Sequence, residues 1–338
     1  QGATSIVWRI QANTDYAILN GILSNGGLVV GDSTHTGVLI LNKSNTYTGG
    51  TTVNGGILRE SATGYLADSG FLTVDGSTAV FDLGADHSDT VGTVTLDHGG
   101  TLDGSGTSTI TGTGTFEMHD GTVNVFLAGN GIALNKTTSG TVTLNAKNTY
   151  TGLTTVSAGT LLYGTDDAIA TGDVTIDGAT AILDMDGYSD TVGPVTLANG
   201  GTINGGSGSV LSSTTTFEMH DGTVNVVLGG AGIPLNKTTS GTVTLNEQNT
   251  YTGLTKVSAG TLLYGTDDAI ATGDVTIDGA TAILDMAGHS DTVGTVTLDN
   301  GGTINGGSGS VLSSTGSFEM HDGTVNVVLA DDPGTVLN

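Results

Sequence analysis

The chain has no cysteine in 338 residues. A disulfide framework, a thiolate nucleophile and a cysteine-ligated zinc are therefore excluded. Basic residues are almost as scarce: seven lysines and arginines stand against 33 acidic residues, for a net charge of −26. Binding nucleic acid needs a basic stripe along the phosphates, which Arg9, Arg59 and five lysines cannot make, so no nucleic-acid partner is expected. The same sign disfavours anionic membrane surfaces. There is no run of about 18 apolar residues and no charged-then-apolar leader, so neither membrane insertion nor a signal peptide is expected. Beginning at Gln1, the chain is expected to be a processed product or an excised piece. Proline occurs only 3 times, and no segment carries a sustained 3.6-residue apolar stripe, so helices should be few and short. Charged residues are 12%, about half the usual ~25%, leaving threonine, serine and asparagine as the polar surface.

What the chain has instead is repetition. FEMHDGTVNV at 116–125 returns at 217–226 and again at 318–327, a step of 101 residues both times. Within one such copy, short apolar stretches recur about every 20 residues: TTVSAGTLL from Thr154, then VTIDGATAIL, VTLANGGTI, FEMHDGTVNV and LNKTTSGTVTL. TKVSAGTLL reopens the cycle at Thr255. Val, Ile and Thr alternate with polar residues at period two, the pattern of a half-buried strand, and Gly or Asn/Asp-Gly pairs mark the turns between. The regular apolar pairs also argue against disorder, because they can bury enough surface to offset chain entropy.

Stacked strands at about 4.8 Å spacing turn this period into an all-β solenoid of roughly 17 coils and about 80 Å. The expected organisation is an atypical N-terminal cap or interface segment at 1–40, containing Trp8 and Arg9, and a continuous solenoid at 41–330. Its super-repeats end near 127, 228 and 329, and a C-terminal tail covers 331–338. Leu161 and Ile176 are expected to point inward.

The segment NTYTGLTTVSAGTLLYGTDDAIATGDVTIDGATAILDM at 148–185 resembles the autotransporter-associated β-strand repeat, with Asn148, Tyr150, Gly152, Val156, Gly159 and Leu161 at the signature positions. It recurs almost unchanged at 249–286 and more loosely from Asn45. The resemblance implies a right-handed parallel β-helix of the passenger type, displayed extracellularly or on the surface of a Gram-negative-like bacterium. The C-terminal ADDPGTVLN lacks the aromatic alternation of outer-membrane strands, so no translocator barrel is expected within these residues.

Candidate chemistry is thin. Glu117, His119 and Asp120, with counterparts Glu218, His220, Asp221 and Glu319, His321, Asp322, have the residue types of a metal or acid–base site. Copies five rungs apart lie roughly 24 Å from one another along the stack, so the three histidines cannot share an ion. Asp177, Asp184, Asp186 and Asp190 come nearest to the aspartate clusters of β-helix polysaccharide hydrolases and lyases, the alternative reading. However, Ala287 replaces Asp186 in the last copy, and another position reads His87, Tyr188, His289. Asp166-Asp167 and Asp267-Asp268 suit turns, with calcium the one cofactor left open, and GGSGSVLSS at 205–213 lacks the aspartate of the calcium-binding nonapeptide. Tyr47, Tyr150 and Tyr251 are expected to pack on turn backbone, and Asn45, Asn148 and Asn249 to hydrogen-bond it. No catalytic, cofactor or metal residue is therefore assigned. The expected function is non-catalytic and structural: a surface stalk or adhesin, or a fibre subunit self-associating end to end or side by side, with a host or matrix glycan or protein as the other partner.

Overall fold

The structure, a computed structural model, describes residues 6–8, 15–331 and 336–337. Among the described residues every regular element is a strand. They fall into two compact units, 1–172 and 173–338. Each is a parallel β-solenoid.

In the second unit the first sheet stacks Val174–Asp177, Val195–Ala198, Phe217–Met219, Leu235–Lys237, Thr255–Val257 and Val275–Asp278 in order. Its registers Val174↔Val195, Val195↔Phe217, Phe217↔Leu235, Leu235↔Thr255 and Thr255↔Val275 step by 21, 22, 18, 20 and 20 residues, together the 101-residue period. A second parallel sheet follows the same rungs, with Gly201–Asn204, Gly222–Asn225, Thr242–Leu245 and Gly260–Tyr264 in sequence. A third strand appears on three of the five rungs only, at Asp190–Val192, Val210–Ser213 and Val227–Gly229. On the other two rungs its place is taken by the loops 246–254 and 265–274.

The first unit repeats this plan. Leu72↔Val94, Val94↔Phe116, Phe116↔Leu134 and Leu134↔Thr154 form its first sheet, and Ser88–Val91, Thr109–Gly112 and Phe126–Ala128 its third. The atypical stretch 1–40 contributes to the same ladders: Ile6–Trp8 pairs with Leu28–Val30, and Tyr16–Leu19 pairs with Val38–Leu41. Arg9 lies outside the described residues, as does the side chain of Trp8. Near the other terminus, Val336–Leu337 pairs with Ser317 and Phe318.

Alternation decides what is buried. In Thr154–Val156 and Gly159–Tyr163 every second residue is inward, so Val156, Leu161 and Tyr163 are buried while Thr155, Thr160 and Leu162 are partly exposed. Parallel register sets like positions over like, and Val142 sits on Leu161 as Val243 sits on Leu262. Two signature glycines follow from this close stacking. Gly159 has φ +66, and a Cβ there would collide with the Gly140 and Thr138 carbonyls of the preceding rung. A Cβ on Gly152 would meet the backbone of Ile132 in the same way.

Ile176 and Leu161 are both fully buried. Leu161→Ala should therefore cost about 2–5 kcal/mol through lost transfer energy and a residual cavity. Because each rung touches only its neighbours, hydrogen exchange should rise chiefly in the rungs holding Val142 and Leu161. Uniform acceleration throughout the chain, or none, would contradict the nearest-neighbour picture.

Candidate functional site

The corner between the first two sheets receives the Glu-His-Asp turns, and in the first copy each side chain is engaged separately. Glu117 accepts a hydrogen bond from Asn135 Nδ2 at 2.8 Å, and Asp120 accepts the Thr141 N–H at 3.2 Å. His119 Nδ1 lies 3.1 Å from Asp97 Oδ2 in the preceding rung. In the second copy Glu218 accepts from Asn236 at 2.7 Å and Asp221 accepts the Thr242 N–H at 3.1 Å. The third copy places His321 3.6 Å from Asp299, while Glu319 accepts the Ser317 hydroxyl. His98 adds a contact of 2.6 Å to Asp75, which raises its pKa above the ordinary imidazole value. Among the described residues, no three His, Asp or Glu side chains are grouped as they would be to hold a metal ion.

The other aspartates serve turns. Asp177 accepts from Asn199 Nδ2 at 2.5 Å, Asp184 accepts the Asp186 N–H at 3.1 Å, and Asp190 is buried and accepts the Thr191 N–H at 2.7 Å. Asp167 and Asp268 take positive φ of 55° and 54°, a backbone that aspartate tolerates, and Asp167 also meets Lys147 Nζ at 2.9 Å. His87 bonds the Leu83 carbonyl at 2.6 Å, and His289 lies 3.3 Å from Asp267, which in turn accepts the Ser290 N–H.

Signature asparagines and tyrosines shape the loops that replace the third strand. Asn148 Oδ1 accepts the Leu127 N–H at 2.7 Å from one rung, and its Nδ2 donates to the Ala168 carbonyl at 2.7 Å in another. Asn249 does the same with Leu228 and Ala269, and Asn45 with Leu23 and Tyr65. These residues reach beyond their own turn. Tyr150 and Tyr251 are fully buried, each bonding a threonine hydroxyl at 2.8 Å and packing at an angle on a phenylalanine of the same copy, Phe116 and Phe217, at 5.9 and 6.0 Å. Tyr47 is buried and bonds Thr51 likewise. None of the three is presented to a ligand.

Two lysines are buried in the core. Lys136 and Lys237 occupy inward positions of Leu134–Lys136 and Leu235–Lys237, with Nζ donating to the Thr138 and Ala158, and the Thr239 and Ala259, carbonyls. Burial lowers the pKa of each to about 8. Leu-Asn-Lys read as inward-outward-inward would have placed these ammonium groups in the core.

The comparisons with known proteins bear on this arrangement. The family model described as passenger-associated-transport-repeat matches residues 34–59, 134–162 and 235–263. The chain carries passenger-associated-transport repeats. Over 322 residues it is also 34% identical to the BmaC autotransporter adhesin of Brucella suis biovar 1 (strain 1330), a span covering 88% of this chain and 9% of that protein. No solved structure matches. The second and third repeats run from Leu134 and Leu235 into Gly159–Tyr163 and Gly260–Tyr264, the rungs that lack a third strand.

At the inward position just after each repeat the three copies differ: Glu60, Tyr163 and Tyr264, with Asp89, Asp190 and Asp291 as the buried aspartates of the rung that follows. Glu60 and Asp89 both accept the Leu66 N–H, at 3.0 and 2.8 Å. Burial first, and the adjacent Asp89 second, push the Glu60 pKa up to about 11, so it is protonated at neutral pH. Burial, reinforced by Asp291, likewise holds the Tyr264 hydroxyl well above its usual pKa.

A folded-state pKa above that of unfolded glutamate means that folding takes up a proton. The stabilisation from protonated Glu60 is full below about pH 4 and is lost as pH rises toward 11, by up to ~3 kcal/mol at neutral pH. Glu60→Gln keeps an acceptor for Leu66 but cannot ionise. Urea denaturation between about pH 5 and pH 8 should show a downward slope in the wild type that is flattened in the variant, with the variant more stable at the upper end. Parallel pH profiles would remove the role assigned to Glu60.

Proposed function

We propose that the chain is a non-catalytic passenger segment, displayed outside a Gram-negative cell as a stalk or adhesive surface. The observation that carries this reading is the similarity to an autotransporter adhesin along 88% of the chain. Because the chain spans only 9% of that relative, adhesion is proposed from the shared repeats alone. The engagement of the candidate carboxylates in turns supports a structural role for them. The acidic, cysteine-free exterior suits an exported repeat protein.

The test is binding of the labelled chain to cultured host cells and to immobilised matrix proteins and glycans, alongside incubation with acidic polysaccharides. Saturable binding competed by unlabelled chain, with no new reducing ends or unsaturated sugar, is the expected result. Release of such products would replace this reading with the hydrolase or lyase alternative, and absence of binding to every surface would end the adhesive one.

A further inference from the structure

In the first unit two carboxylates are stacked at one corner of the solenoid. Asp75 and Asp97 end the adjacent parallel strands Leu72–Asp75 and Val94–Asp97 in direct register, about 4.8 Å apart at the backbone. Two negative charges at that separation repel each other. The next residue, His98, takes φ of 49° and sets its imidazole against both: Nδ1 lies 2.6 Å from Asp75 Oδ1 and 3.6 Å from Asp97 Oδ1. Asp97 Oδ2 in turn lies 3.1 Å from His119 Nδ1 on the rung beyond. Three rungs are thereby joined through Asp75, His98, Asp97 and His119.

The other two copies solve the same corner without a histidine at this position. In the second, Ala198 stands in register with Asp177, so there is no carboxylate pair, and Asn199 donates its amide to Asp177 at 2.5 Å. In the third, Asp278 and Asp299 are stacked again, but Lys256 Nζ lies 3.1 Å from Asp278 Oδ2 and Asn300 donates to Asp278 Oδ1 at 2.8 Å. The first copy has Thr52 at the register position of Lys256, so the permanent cation is missing there. Its place falls to an imidazole, whose charge changes near neutral pH.

The charged groups facing His98 are Asp75 from the rung before, Asp97 beside it and Asp120 from the rung after, all of them acidic. The hydrogen bond with Asp75 foremost, then the charge of Asp97, raises the His98 pKa above its ordinary value. His119 faces Asp97, and Lys136, whose ammonium is bonded to the Thr138 and Ala158 carbonyls, also feels Asp97 and Asp120. We infer that this corner is a pH-operated clasp: protonated His98 bridges the stacked carboxylates and holds the rungs together, and on its deprotonation the repulsion between Asp75 and Asp97 opens the corner locally. Because the pKa in the folded chain lies above that of free imidazole, about 6.5, the clasp is closed below that pH and released as pH rises through the folded value.

The reporters are the Gly76 and Gly99 amides, which donate across this corner to the carbonyls of Asp97 at 3.1 Å and Asp120 at 3.3 Å. Gly178, donating to the Ala198 carbonyl at 3.3 Å, is the control within the same chain. Hydrogen exchange of the whole chain is compared at about pH 5.5 and about pH 8, each rate divided by that of an unstructured amide at the same pH. Protection of Gly76 and Gly99 should fall about threefold at the higher pH while that of Gly178 stays level. His98→Asn, which installs the amide of the other copies, should abolish the fall, whereas Glu60→Gln should leave it in place. Asp97→Ala, the arrangement of the second copy, should both reduce the fall and lower the His98 pKa read from its imidazole NMR signals, and it decides alone if His98→Asn does not fold. No fall in the wild type, an equal fall at Gly178, or one that persists in folded His98→Asn would overturn the inference.

Discussion

Everything in either unit depends on successive rungs lying in parallel, in-register contact, so that each inward position rests on its counterpart one rung away. The backbone ladder supplies this on the first two sheets, where strand follows strand without interruption. On the third side the ladder fails for two rungs in five, and there a buried asparagine takes over. Asn148, accepting from Leu127 and donating to Ala168, joins the backbone of the rungs on either side of its own. An amide suits this role because it offers a donor and an acceptor on one short, rigid side chain. With a partner at each end, the amide can be buried at little cost.

That constraint explains which parts of the fold were legible. Period-two alternation, the 101-residue step and the division of each copy into five rungs needed only local physics, because a parallel solenoid is built from contacts between like positions. The family resemblance adds Asn, Tyr and Gly at fixed positions, and the structure gives each a reason: the amide bridge, the buried ring against phenylalanine, and glycines whose Cβ would strike the preceding rung. Other features were invisible for a definite cause. His119 reads as the neighbour of Asp120, yet its partner is Asp97, 22 residues earlier and one rung away. In a solenoid, spatial neighbours lie one rung-length apart, so constellations judged along the sequence miss the pairs that form across it.

Buried polar groups show the same limit from another side. Strict alternation, carried through Leu134-Asn135-Lys136 and Gly56-Ile57-Leu58-Arg59-Glu60, places Lys136 and Glu60 inside, where the structure finds them. Alternation is here the better guide to burial than residue type. The physical resolution differs for each. Lysine fills its inward column with a methylene stem and brings its ammonium to two carbonyls, whereas glutamate gives up its charge. Its tyrosine counterparts reach the same neutral state without protonation chemistry. The substitution between copies is therefore conservative in what the core requires, a neutral group beside a buried aspartate, though not in side-chain class.

Near-identity of the copies hides differences in hydrogen bonding at such positions. The Asp291 environment differs from that of Asp89 because, around Leu66, Glu60 and the aspartate converge on one backbone N–H, while Ile270 is held by Asp291 alone. A loop that already departs from the ladder has the freedom to open a cleft, and the buried carboxylate beneath it is held by the Ile270 N–H together with Tyr264 and Thr292. Where the third strand is missing, the loops are therefore tied to the ladder by buried polar side chains, an asparagine on one rung and an aspartate from the rung beyond on the next.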